Sequence, residues 1–313
     1  MRRSFALALA LCWAAASSAA GFDYGLKPQP VGSGTWVSVG RSEDFSVANG
    51  GNIVNTGFIE TSAGVVVVDT GPSKRYGEQM RAAIARVTQK PVVKVFNTHH
   101  HPDHFLGNQA YEDVGIAALA ATAQAIAAEG NALTENLYRM SGDWMKGTEP
   151  VRPSQMVTTS ELGVGDHKLA LISLAGHTAG DLAVFDRSTG VLFAGDLVFF
   201  NRAATTPHAD ISVWLASLEA LEKLPFKTLV PGHGPVVNDD RAIRQTREYL
   251  TWLRGALGAA AERGLDMNEA MALDIPAQFR GIALVDQEFR RSVTHLYPAL
   301  EQVALKPAQQ GAR

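Results

Sequence analysis

Four of the nine histidines in this chain fall within six consecutive residues, in the segment His99-His100-His101-Pro102-Asp103-His104. The segment follows a β-branched run at 91–96 that is typical of a buried strand, so it begins where α/β proteins place their chemistry. Imidazole nitrogens and carboxylate oxygens are common metal ligands. Side chains two apart in an extended chain point the same way, so His99 and His101 can bind one metal ion. His100 then points elsewhere, and Asp103 and His104 on the following turn could bind a second ion.

The remaining chain alternates strand and helix patterns and becomes mostly helical from Asp239 onward. Two such strand-and-helix sets predict an α/β protein built as an αββα sandwich, in which two sheets face each other between outer helices. We expect one catalytic domain at 21–238 and a C-terminal helical extension at 239–313. Proline removes a backbone donor, so Pro298 should kink or end the last helix, expected at about 284–304.

Composition and charge narrow the class of protein further. The 313 residues are 46% hydrophobic and 19% charged, which is typical of a globular chain. The formal net charge is −3 and no basic stripe interrupts the sequence, so a nucleic-acid partner is not expected. A small-molecule substrate is the partner that this composition and the histidine segment favour.

The first twenty residues have the pattern of a cleaved signal peptide. Arg2 and Arg3 precede an apolar run that is too short to span a bilayer, which needs about 20 residues, and the run ends in Ser18-Ala19-Ala20. We predict cleavage after Ala20 and a periplasmic or secreted protein without a membrane span in its mature form. The paired arginines partly match a twin-arginine signal. Cleavage would leave 26 basic and 31 acidic residues, a net charge of −5.

The only cysteine, Cys12, lies in this leader segment. The mature chain would therefore contain no disulfide, and its metal ligands should be nitrogen or oxygen atoms.

The spacing His-x-His-x-Asp-His resembles the signature of the metallo-β-lactamase superfamily. Four further motifs follow the family's order between residues 52 and 235, and they contribute Asp69 after a run of valines, His177 in Gly-His-Thr, Asp196 in Ala-Gly-Asp and His233 in Pro-Gly-His-Gly. The resemblance implies that His99, His101 and His177 bind one metal ion. It implies that Asp103, His104 and His233 bind a second ion and that Asp196 bridges the two.

The same resemblance implies roles beyond coordination. The expected cofactor is zinc, with two ions, although iron is an alternative in this superfamily. A hydroxide shared by two zinc ions would attack an ester, thioester or amide-type bond. Asp103 would also orient the hydroxide or carry a proton to the leaving group. Asp69 would hydrogen-bond the loop that carries His99, although it could instead be a plain helix cap.

One fold hosts many functions, so the branch of the superfamily is argued separately. The absence of a later cysteine argues against β-lactamase branches that use cysteine as a ligand, and Asp196 resembles the thioester-hydrolase branch. Stretches at 70–77, 97–108 and 142–145 are similar to periplasmic zinc metallohydrolases linked to quinoprotein dehydrogenase or sulfur-oxidation systems. That resemblance implies a link to such a system and an undefined natural substrate.

Several alternatives remain open at this level. A mononuclear iron persulfide dioxygenase shares the histidine motif, a class B β-lactamase-like activity shares the metal chemistry, and a metal-binding assembly factor would have no turnover. Arg202 and His208 follow Asp196 and are candidate substrate contacts at the mouth of the site. A guanidinium can pair with a carboxylate or phosphate, although a solvated loop arginine is equally expected. The helical tail could form a lid or the face of a homodimer.

Overall fold

The computed structural model describes residues 21–310, and the predicted signal peptide lies outside them. A seven-stranded sheet runs in sequence order through β1 (Gln29–Gly32), β2 (Thr35–Ser38), β3 (Thr56–Thr61), β4 (Gly64–Val68), β5 (Val92–Phe96), β6 (Ile116–Ala118) and β7 (Gln155–Met156). Its first four strands pair antiparallel and its last four pair parallel.

A second sheet of five strands has the order β12-β11-β10-β9-β8. Its strands are β8 (Glu161–Val164), β9 (His167–Leu174), β10 (Asp181–Asp186), β11 (Val191–Phe199) and β12 (Thr228–His233). The strands β8 to β11 pair antiparallel, whereas β12 lies parallel to β11. The helices are α1 (Lys74–Val87), α2 (Pro102–Phe105), α3 (Ala120–Ser141), α4 (Ile211–Glu222), α5 (Arg241–Glu262), α6 (Met267–Met271) and α7 (Val285–Gln310).

Alternation along β4 shows how the layers stack. Val66 and Val68 face the second sheet and belong to a core with Leu171 and Val184, while Val65 and Val67 pack under α1. Side chains on successive strand residues point to opposite faces, so an unbroken valine run can serve two cores at once. The structure is the predicted αββα sandwich with C-terminal helices.

The C-terminal helices share a core with the second sheet. Leu192 and Phe199 of β11, Trp214 of α4, Leu253 of α5 and Val293 of α7 belong to one buried apolar cluster. The helical extension therefore buries its apolar face against the sandwich itself, which ties its stability to that of the sheet.

Two local features of the helices complete the comparison with expectation. The last helix continues through Pro298 to Gln310, so of the two outcomes predicted for this proline, a kink or an end, the end was wrong. Within the described residues, no helix is both long and apolar enough to cross a bilayer.

Candidate metal centre

The predicted ligands converge at one edge of the sandwich, although they come from both sheets. His99 and His101 follow β5, and Asp103 and His104 lie on the short helix α2. The others belong to the second sheet, with His177 in the β9–β10 connection, Asp196 within β11 and His233 at the end of β12. Asp196 and His233 lie on adjacent parallel strands, whose carboxyl ends meet at the same sheet edge.

The first donor cluster consists of His99, His101, His177 and Asp196. His177 Nε2 lies 2.8 Å from His101 Nδ1 and 3.4 Å from Asp196 Oδ2. His99 Nε2 lies 3.8 Å from the same carboxylate oxygen. Three imidazoles and one carboxylate thus present one atom each toward a common point.

The second donor cluster consists of Asp103, His104 and His233. His233 Nε2 lies 3.3 Å from Asp103 Oδ2, and His104 Nε2 lies 3.7 Å from that oxygen. Asp196 reaches this cluster as well, because its Oδ1 lies 3.1 Å from His104 Nε2 and its Oδ2 3.3 Å from His233 Nε2. The Asp196 carboxylate therefore stands between the two clusters.

The donor atoms fit bound metal ions. His99 Nε2, Asp103 Oδ2, His104 Nε2 and Asp196 Oδ1 are buried and make no hydrogen bond among the described residues; the 3.1 Å contact between His104 and Asp196 lacks the angle of a hydrogen bond. A buried polar atom without a partner is costly, and coordination to a cation satisfies it. The donors are all nitrogen or oxygen atoms, as in catalytic zinc sites, and no cysteine takes part.

Three of the imidazoles are held in their neutral form. Burial lowers the pKa of His99 and of His101 well below the ordinary value. The neighbouring His104 lowers the pKa of His99 further, and His177 lowers that of His101. Burial also lowers the pKa of His177 to about 3. Metal binding requires an unprotonated nitrogen, so these three side chains are ready to coordinate at neutral pH.

The second cluster is instead a network of opposite charges. Burial alone would raise the pKa of Asp196, but His233 and His104 hold it well below its usual range. Burial would lower the pKa of His104, but Asp196 and Asp69 raise it well above its usual range. Burial and charge therefore act against each other here, and the Asp196 carboxylate remains ionised.

Outer hydrogen bonds orient the ligand rings. Asp69 Oδ2 lies 2.8 Å from His104 Nδ1, and Asp69 Oδ1 accepts a 2.8 Å bond from the Thr98 amide. His233 Nδ1 lies 2.8 Å from the Ile53 carbonyl oxygen. Asp69 has a φ of 58°, a left-handed conformation that aspartate tolerates better than most residues. Through these two bonds Asp69 holds the loop that carries the first ligands.

Glycines precede three ligands because the chain passes close to its neighbours there. A β-carbon at Gly232 would lie 1.9 Å from Asp196 Oδ1. Gly176 has a φ of 128°, and a β-carbon there would lie 2.3 Å from the backbone of Trp214. A side chain at Gly232 would collide with a ligand and one at Gly176 with the backbone of α4, so both motifs need glycine for steric reasons.

Sequence reasoning missed two polar residues that hold the ligand loops. Asn55 donates 2.8 Å bonds to the carbonyl oxygens of Pro231 and Gly234, on either side of His233. Asp181 accepts bonds from the amides of His177 and Thr178. The Asn55 contacts join segments 176 and 179 residues apart, whereas Asp181 bonds to amides only three and four residues before it, within its own loop.

Sequence reasoning also missed two aromatic supports. The Trp214 ring lies edge-on to His177 at 4.9 Å, and the Phe199 ring stacks on His233 at 5.1 Å. Each ligand ring is thus fixed by packing as well as by hydrogen bonds.

The two predicted substrate contacts have different surroundings. Arg202 is 3% exposed, donates to the Ala203 carbonyl oxygen and lies 3.6 Å from Glu288 Oε1, so it is in the interior and not at the open mouth that we expected. Its partner on α7 was too distant in sequence to anticipate. His208 is one-third exposed at its side chain and lies beside His101. Both assignments as substrate contacts stay predictions.

An αββα sandwich with donor clusters at one edge defines a class of metal-dependent hydrolases. The chain belongs to the metallo-beta-lactamase superfamily, whose family model matches residues 49–233. It is a metallohydrolase with the metallo-β-lactamase fold. The matched span includes all seven predicted ligands.

Named relatives come from different hydrolase branches. The chain is 26% identical over 253 residues to "Acyl-coenzyme A thioesterase MBLAC2" of Gallus gallus, covering 71% of this chain and 86% of the relative. It is 29% identical over 195 residues to "Metallo-beta-lactamase type 2" of Bacillus sp. (strain 170), covering 60% and 70%. The "Metallo-beta-lactamase from Pontibacter korlensis" has a similar fold, with a TM-score of 0.59, 23% identity, and coverage of 72% of this chain and 99% of that one.

Proposed function

We propose that this protein is a dizinc hydrolase that cleaves an ester, thioester or amide-type bond in a small molecule. The observation that carries the proposal is the position of the Asp196 carboxylate. It lies within 3.8 Å of His99 and His177 on one side and within 3.3 Å of His104 and His233 on the other. A carboxylate between two donor sets is suited to bridging two cations a few ångströms apart.

The residues of the site would have two roles, metal binding and proton transfer. His99, His101 and His177 would hold one zinc ion, and Asp103, His104 and His233 the other. Two bound zinc ions would supply a hydroxide nucleophile at neutral pH and polarise the carbonyl oxygen of the substrate.

Asp103 would also handle a proton. His104 and His233 hold its pKa below the usual range despite burial, so the carboxylate is available as an acceptor. The Asp103 carboxylate would take a proton from the attacking water and deliver it to the leaving group.

A thioester is the substrate type to test first. The chain lacks a cysteine among residues 21–313, so the second cluster has only nitrogen and oxygen donors. One relative is named as an acyl-coenzyme A thioesterase and another as a hydroxyacylglutathione hydrolase, and both names describe hydrolysis of a thioester. The second relative is 25% identical to this chain over 179 residues. These likenesses support an acyl thioester without selecting the acyl group.

The test combines metal analysis with a substrate screen. Purified protein loaded with zinc should contain close to two ions per chain and hydrolyse at least one acyl thioester, ester, lactone or β-lactam. Asp103→Ala should abolish that turnover, whereas Asp286→Ala, an exposed aspartate on α7, should not. Zinc content near zero after careful loading would refute the metal assignment. Iron in the purified protein, with oxygen uptake on glutathione persulfide, would favour the dioxygenase instead.

We further propose that the protein is exported and that residues 21–238 form its catalytic domain. The leader pattern at 1–20 supports export, and a link to a quinoprotein or sulfur-oxidation system would place the substrate in the same compartment. The helical extension at 239–313 would support the segment that carries His208, since Thr206 Oγ1 lies 2.9 Å from Ser292 on α7.

A further inference from the structure

The outward nitrogen of His101 has an unusual partner. His104 and His233 direct their second nitrogens to a carboxylate and a backbone carbonyl, respectively. His101 Nε2 instead lies 2.9 Å from Nδ1 of His208, a residue 107 positions later in the chain. A metal-binding histidine normally donates its free ring N–H to an acceptor, and that acceptor fixes the ring.

His208 is itself anchored by a carboxylate. Its Nε2 lies 3.2 Å from Oε2 of Glu129 on α3, while His208 belongs to the segment between β11 and α4. The buried His100 faces the same carboxylate, with its Nε2 3.9 Å from Glu129 Oε2 and its ring 4.7 Å from that of His208. His101, His208 and Glu129 thus form a chain of contacts that leads from the donor cluster to the surface.

Proton placement in this chain follows from the geometry. His101 Nδ1 faces His177 Nε2 within the donor cluster, so the proton of a neutral His101 ring must sit on Nε2. That N–H donates to His208 Nδ1, which leaves the proton of His208 on Nε2. The protonated Nε2 of His208 then faces the Glu129 carboxylate, with Oε2 at 3.2 Å.

We propose that His208 and Glu129 are positioning residues that hold His101 in the tautomer and orientation needed for metal binding. The inference rests on the proposed metal site but not on any substrate. The two residues belong to different elements, since Glu129 lies on α3 and His208 in the connection between β11 and α4. Loss of such an outer partner typically lowers metal affinity about 10- to 100-fold.

The test measures zinc affinity of the full chain by competition with a chromophoric chelator. His208→Ala should weaken the binding of zinc about 10- to 100-fold. His208→Asn should restore most of the affinity, because its amide oxygen can replace Nδ1 as the acceptor. Glu129→Gln should give a smaller loss, and Glu135→Gln, an exposed glutamate on the same helix, should give none.

A second readout separates positioning from simple space filling. In ¹⁵N-labelled, zinc-loaded protein, the ring N–H of His101 should give a hydrogen-bonded proton signal that His208→Ala removes and His208→Asn retains. Unchanged zinc affinity and an unchanged ring signal in His208→Ala would overturn the proposal, as would equal losses in both His208 variants. If the wild type binds zinc but hydrolyses no substrate, the proposed function fails while this comparison still decides the role of His208.

Discussion

Removal of the Glu288 carboxylate should destabilise the protein more than removal of the Arg202 guanidinium, although the two form one buried pair. Their side chains are 1% and 2% exposed, and the closest atoms are 3.6 Å apart. Glu288 has a second partner, Arg291, whose Nη1 donates to it at 2.9 Å. Arg202 keeps only its bond to the Ala203 carbonyl oxygen, and its Nε has no partner among the described residues.

The magnitudes follow from what each substitution leaves behind. Glu288→Met leaves a buried, nearly unpaired guanidinium, and breaking such a pair costs about 3–5 kcal/mol. Arg202→Met leaves a carboxylate that still accepts from Arg291, so the loss should be about 1–3 kcal/mol. Burial also raises the pKa of Glu288, which makes protonation of the remaining carboxyl easier.

The pH dependence has a definite sign. A carboxyl whose folded-state pKa is raised contributes stability below its ordinary value of 4.5, and this contribution is lost as pH rises through the folded-state pKa. Without Arg202 that pKa should rise further. The stability deficit of Arg202→Met should therefore grow as pH rises above 4.5.

Urea unfolding of zinc-loaded protein, followed by circular dichroism, measures these free energies, and the double variant completes a thermodynamic cycle. Met has a length similar to both side chains, which limits cavity effects. An equal or larger loss in Arg202→Met, or losses below about 1 kcal/mol in both single variants, would refute the reasoning about unpaired charge.

Three other perturbations test separate parts of the structure. Asp69→Asn keeps the shape but removes the charged acceptor of His104, so zinc affinity should fall about 10- to 100-fold in a chelator competition. Trp214→Ala empties a fully buried site beside His177 and should cost about 3–5 kcal/mol in urea unfolding, a much smaller loss contradicting its packing role. Removal of zinc with a chelator should lower the melting temperature, because it removes a ligand that binds only the folded state. Mass spectrometry of the exported protein should find Gly21 as its first residue, and an intact Met1 would contradict cleavage.

The fold class followed from local patterns. The run at 65–68 became a fully buried strand, whereas the run at 92–96 became a strand in which only Val95 and Phe96 are buried. Asp210 caps α4, and its side chain accepts from the amides of Ser212 and Val213. Helix length was less predictable, because α7 continues past Pro298. Tertiary packing of its buried face supports that helix and overrides the local preference.

The candidate ligands were also accessible from the sequence, since each lies in a short motif at a strand end or turn. What joins and orients them was not. Asn55 reaches Gly234 across 179 residues, and His208 reaches His101 across 107. Such contacts carry no local periodicity, so neither member of the pair identifies the other.

By itself the sequence determined which side chains can bind metal and in which order the strands present them, because both depend on neighbouring residues. The tertiary structure alone decided that Asp196 stands between two donor clusters, that Arg202 is buried against Glu288, and that His101 contacts His208, which in turn lies beside Glu129. The physical reason is that burial and charge pairing belong to groups brought together from distant segments. Their strength depends on the distance and solvent exposure that only the folded chain defines.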